Sequence, residues 1–174
     1  MKVFCNSGPL MALGKIGALD ILLRLFDQVH IPTSVHREVI IEGEKQGCID
    51  ARMVAIAVRQ ERIIVENVSL SDLPFGIDSL NLDAGEREVI YLSTQQPGSL
   101  VLLDDLKARE EAKRLGLTVK GTLGVFTQAY RENLISFAEV NAFIETIIAH
   151  DAIWISADLC REVLKRIETE QQLK

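Results

Sequence analysis

Short β-prone apolar runs alternate along this chain with longer stretches in which apolar residues recur every three or four positions. The run at 3–5 stops at Asn6-Ser7-Gly8-Pro9, a strand–turn–helix signal in which Ser7 can cap and Pro9 suits the first helical turn. Leu10, Met11, Leu13 and Ile16, then Leu19, Leu22, Leu23 and Phe26, predict two helices broken near Gly17. A second strand is expected over 29–31, ended by Pro32. A helix then starts at Thr33 and is broken over 43–47, and another runs over 49–59 into a strand at 63–65. Residues 67–82 show little periodicity and read as a long surface loop.

From Asp83 a helix is expected to about Thr94, followed over 99–103 by the most hydrophobic strand of the chain, with Asp104-Asp105 directly at its end. A charged amphipathic helix over 106–115 is stopped by Gly116. A short strand at 117–119 follows, and Gly121-Thr122 opens a helix to about Tyr130. Beyond that the pattern is wholly helical. Ser136 and Glu139 form a capping-box pair, Ser156 caps a last helix through Ile167, and the polar end is expected to fray. Strands alternating with helices call for a parallel sheet with right-handed crossovers. The expectation is a single α/β domain over 1–174, with a core at about 1–133 and C-terminal helices at about 136–168.

Composition changes this picture little. In 174 residues, 48% are hydrophobic but only 5% aromatic, so Leu, Ile, Val and Ala must fill the core, as in sheets covered on both faces. The net charge of −6 argues against a module that merely coats nucleic acid, yet is compatible with a local acidic pocket. Cys5, Cys48 and Cys160 have no paired spacing and read as reduced thiols of a cytoplasmic protein. No run has the length of a membrane span.

The chemistry to be expected follows from the strand ends. Ligands of open parallel sheets bind outside the carboxyl ends of the strands. Asn6 follows the first strand and Asp104-Asp105 the fourth, while Glu38 and Glu86 lie on helices expected near that edge. Two carboxylates ~5 Å apart at an effective dielectric near 20 repel by roughly 3 kcal/mol, so a cluster of them binds a cation, takes up a proton or pairs with Lys or Arg. Each residue also has a plainer role. Asp83 and Glu86 fit a capping box, Asp104 or Asp105 can cap the following helix, Glu38 can be a solvated position and Asn6 a turn residue. His30, His36 and His150 show no metal spacing. No glycine fingerprint for a dinucleotide follows strand one, and a phosphoacceptor receiver would want acids where Asn6-Ser7 stands.

The segments CNSGPLMALGKIGALDILLRLF, IPTSVHREVI, LDAGEREVIYLS and LVLLDDLKAREEAKRLGLTVKGTLGVF, in this order and with WISADLCREVL beyond them, resemble the PIN domain, in particular a branch related to VapC-type toxins. The resemblance implies a doubly wound parallel sheet flanked by helices and a Mg²⁺- or Mn²⁺-dependent endoribonuclease. It implies catalytic Glu38, Glu86 and Asp104, and metal ligands Asn6, Glu38, Glu86, Asp104 and Asp105. Lys107, Arg109 and Thr122 are the candidate RNA contacts. An antitoxin protein and a second copy of the chain are the implied partners. Asn6 stands where the family usually carries Asp. That departure motivates a second reading, a catalytically silent binding or regulatory protein on the same fold.

Overall fold

Five segments of three or four residues pair into one parallel sheet in the computed structural model, which describes residues 1–172. The strands are β1 (Val3–Cys5), β2 (Val29–Pro32), β3 (Ile63–Glu66), β4 (Leu100–Leu102) and β5 (Thr118–Lys120). Their order is β3-β2-β1-β4-β5, with Val3 opposite Leu100 and Cys5 opposite Leu102. The chain winds outwards from β1 in one direction, returns, and winds outwards from β4 in the other. The switch point therefore lies between β1 and β4, where the crevice outside the strand ends is a ligand's place. Both central strands are fully buried, which is why they read as unbroken apolar runs, whereas β3 and β5 at the sheet edges are partly exposed.

The helices are α1 (Ser7–Lys15), α2 (Leu19–Leu25), α3 (Thr33–His36), α4 (Gly43–Lys45), α5 (Ile49–Arg59), α6 (Phe75–Asp78), α7 (Ala84–Thr94), α8 (Leu106–Arg114), α9 (Thr122–Arg131), α10 (Phe137–Ala149) and α11 (Ala157–Gln172). Gly17 takes φ +71° between α1 and α2, the left-handed geometry that ends the first helix where the pattern predicts. The Leu-rich stripe of α2 is core: Leu19, Leu22 and Leu23 are buried.

Four local expectations change. The helix from Thr33 does not stop at Gly43. It widens into a π segment over Arg37–Glu42 and continues to Lys45, turning only at Gly47 with φ +72°. A side chain at Gly43 would stand 2.7 Å from Ala51 Cβ, so this glycine serves a close helix contact and not a break. The loop at 67–82 carries a 3₁₀ turn and α6, docked through buried Leu73 and Ile77. Ser7 is the first helical residue of α1, preceded by Asn6 at the cap position, whose side chain makes no capping bond. Finally, α11 extends past Ile167 to Gln172, held on α9 by the Arg131–Glu170 ion pair, with Nε donating to Oε2 at 2.9 Å. The end of the predicted frayed tail, residues 173–174, lies outside the described residues.

Candidate active site at the β1–β4 switch

Asn6 leaves β1 with its backbone N–H bonded to the Leu102 carbonyl (3.1 Å), so its position is set by the sheet itself. The residue is only 5% exposed, yet its Oδ1 has no hydrogen-bond partner. A buried amide oxygen left without a donor is an uncommon expense, since desolvation costs about 1–3 kcal/mol. It lies against the start of α7. A Cβ placed on Gly85 would stand 2.9 Å from Asn6 Oδ1 and 3.0 Å from Val35 Cγ2. Gly85 is therefore what lets the α7 start close on Asn6. Gly85→Ala is expected to lower stability by about 1–3 kcal/mol in chemical denaturation despite alanine's better helix propensity, because the new methyl overpacks the cradle. A gain in stability would show that the close approach is absent.

Glu86, the next residue, is 7% exposed and completes the capping box seen in the sequence. Its N–H donates to Asp83 Oδ1 (2.8 Å), and its Oε2 accepts from the Asp83 N–H (3.1 Å). Burial pushes its carboxyl up to about 7. Repulsion from Asp83 adds to this, the backbone hydrogen bond opposes it, and Asp105 and Glu38 repel it further. Residues from three separate stretches thus crowd one carboxylate. Glu38 is exposed on the π segment, a helical distortion frequently found at functional sites. Its element is docked by the Ser34 hydroxyl of α3, which donates to the buried Glu88 of α7.

The two acids after β4 have different duties. Asp105 is exposed and caps α8, accepting from the Ala108 N–H through Oδ1 at 2.8 Å. Asp104 turns towards β5 and caps α9 from a distance. Thr122 N–H donates to its Oδ1 (2.7 Å) and Thr122 Oγ1 to its Oδ2 (2.6 Å). Gly121 leaves the space: a methyl there would stand 2.7 Å from Asp104 Oδ1 and 2.6 Å from Arg109 Nη1. Burial raises the Asp104 pKa, opposed by both Thr122 bonds and by the Arg109 charge. Thr122, a candidate RNA contact by resemblance, is fully buried and is the donor that orients Asp104. Lys107 is exposed on α8, and Arg109 makes no ion pair among the described residues. Beneath the edge, burial and the Asp104 charge raise the Cys5 thiol well above its ordinary pKa, so it stays neutral. His30 is buried and bonded to Glu66 (2.7 Å) on the sheet's other side of β1, away from this edge.

Among the described residues, no three His, Cys, Asp or Glu side chains are close enough to enclose a metal ion. What the edge offers is an open set: the orphaned Asn6 Oδ1, the crowded Glu86 carboxylate, and Asp105 and Glu38 within electrostatic reach. That donor set fits a hard cation that keeps several waters and takes one or two carboxylates, as Mg²⁺ does, and does not fit a closed cage. The pattern of strand ends and the family resemblance pointed to this edge. The roles of Gly85 and Gly121 carried no signal in the sequence, because each depends on a side chain distant along the chain.

An all-parallel sheet with this order, and with its polar groups gathered outside the carboxyl ends at the switch, defines an open doubly wound α/β protein. The chain belongs to the PIN-domain family, whose profile matches residues 2–169. PIN domains are in general nucleases that use divalent metal ions. No curated protein and no solved structure gives a significant match. No helix of the described residues is long and apolar enough to cross a membrane.

Proposed function

We propose that this chain is a Mg²⁺- or Mn²⁺-dependent endoribonuclease. The observation that carries the reading is the unpartnered, buried Asn6 Oδ1 facing the α7 start beside Glu86, at the switch point of a PIN sheet. Asn6 Oδ1 and Glu86 would hold the ion. Asp105 keeps one carboxylate oxygen free of its capping bond and, with Glu38, supplies further negative charge for the ion's water shell. When bound, the ion lowers the pKa of a water and neutralises charge on the scissile phosphate. Asp104, fixed by Thr122, holds the β4–α9 side of the edge in place, and each of its oxygens retains one acceptor position. Arg109 lies where a phosphate entering from the β5 side would meet it, with Lys107 further out on α8.

The sequence resemblance to VapC-type toxins supports a finer reading. The protein would be a cytoplasmic toxin whose acidic edge is covered by a small antitoxin. A homodimer rests on that resemblance alone, since the Leu stripe of α2 is spent on the core.

The second reading, a silent binding protein, keeps one observation in its favour: Asn6 brings no charge. Cleavage of a mixed RNA pool separates the two. Wild type is expected to cleave with Mn²⁺ and to stop in EDTA, and Asn6→Asp to tighten Mn²⁺ about 10-fold through the added ligand charge. Cleavage by Asn6→Asp alone would establish the silent reading.

A further inference from the structure

We propose that Trp154 is a stacking platform for an unpaired RNA base, placed immediately beside the acidic edge. This rests on the ribonuclease reading and names how that site takes its substrate.

The linker between α10 and α11 carries Ile153-Trp154-Ile155. The two isoleucines pack against the hydrophobic core, and the indole between them is 95% exposed. Burial alternates along the three residues, so the flanking side chains turn inwards and the middle one out. Lys15 of α1 fastens the same linker by donating to the Ala152 carbonyl at 3.2 Å, and the Ser156 hydroxyl accepts from the Leu159 N–H where α11 begins. The ring is thus presented on an anchored backbone.

Trp154 borders two adjoining hollows. One, of about 560 Å³, runs between α1 and the end of β4 and is lined by Gly8, Lys15, Asp104 and Asp105. The other, of about 110 Å³, contains Asp104, Arg109 and Gly121. Asp104 is common to both, so the indole overlooks the edge from either side. The larger hollow is within the size range of small-molecule sites and has room for a nucleotide. A cation stands in each: Lys15, with two ammonium donors beyond its linker bond, and Arg109. Cations spaced on both sides of an exposed aromatic suit a strand whose phosphates and base alternate, and the acids between them would repel a phosphate except where a metal ion bridges it. A paired base cannot lie on the indole face without leaving its stack, so the class of ligand is single-stranded RNA.

Trp154 is the sole tryptophan of the chain, and its emission reports the contact directly. The full-length protein is titrated with a short mixed-sequence single-stranded RNA in EDTA, where cleavage is off, and in parallel by anisotropy of labelled RNA. Saturable quenching is expected. Trp154→Ala should raise Kd about 10-fold, while Trp154→Phe, which keeps an aromatic face, should stay within about 3-fold of wild type. RNA binding by wild type with unmoved emission and no effect of Trp154→Ala would overturn the stacking platform and leave the nuclease reading standing. Dissociation of an oligomer by Trp154→Ala without change in RNA affinity would overturn it in favour of a protein interface. If wild type binds no RNA with or without Mn²⁺, the ribonuclease reading fails and the platform with it.

Discussion

Asp104→Ala is expected to lose both stability and RNA cleavage. The Asp104 carboxylate accepts two bonds from Thr122, one from its backbone N–H and one from its hydroxyl, and these are the start of α9. Removing it orphans a buried N–H and a buried hydroxyl together. Hydrogen bonds to a charged acceptor contribute about 1.5–3 kcal/mol each, but the pair acts on one group, so a total loss of about 3 kcal/mol is expected in denaturant unfolding. Cleavage should fall about 100-fold or more, because α9 and the Arg109 side of the edge lose their common anchor. The companion variant Thr122→Ser keeps both donors and should retain most of both properties. If Asp104→Ala left stability unchanged, the long-range cap would not be what holds this edge.

Glu86→Gln is expected to behave in the opposite sense for stability while also losing cleavage. Glu86 has a folded-state carboxyl at about 7, raised from its ordinary 4.5 first by burial and then by Asp83, Asp105 and Glu38. The native protein therefore holds a proton that the unfolded chain has already released between those values. Stability contributed by this group is present at acid pH and declines as pH rises through about 7, where the native carboxylate must ionise. Glutamine stays neutral and can still accept the Asp83 N–H, since the capping box tolerates it. At about pH 8 in EDTA, Glu86→Gln should be more stable than wild type by about 1–2 kcal/mol after allowance for water reaching the carboxylate, with the difference disappearing only below about pH 4, under the ordinary value of 4.5. Its cleavage should fall about 100-fold, because the charge that opposes the cation is gone. Thermal denaturation across that pH range checks the first half. Equal melting curves would remove the electrostatic crowding on which the site rests.

The fold was legible because its strongest signals are local. The unbroken apolar runs of β1 and β4, Gly17, and the Asp83–Glu86 and Ser136–Glu139 boxes each declare themselves within a few residues. The position of the edge followed from them, since strand ends in a doubly wound sheet can be counted off the pattern. What stayed hidden depends on distance. Asp104 and Thr122 lie 18 residues apart, and nothing in either neighbourhood says that one caps the helix of the other. The π segment at Arg37–Glu42 has no compositional mark, and Gly43 resembled a helix stop until Ala51 packed against it. Trp154 lies in a non-helical linker within a stretch whose pattern predicts helix throughout, and only the Ile-Trp-Ile alternation hints at an outward aromatic.

A divalent cation is expected to seat at Asn6 and Glu86. Calorimetric titration with Mn²⁺ near pH 7, in two buffers of different ionisation enthalpy, reads both the binding and any proton released. A Glu86 carboxyl raised to about 7 is still partly protonated at that pH and gives up its proton when an ion binds. A single site with that proton release is expected, weakened in Glu86→Gln and tightened in Asn6→Asp. Binding with no proton release and equal affinity in all three proteins would place the ion elsewhere.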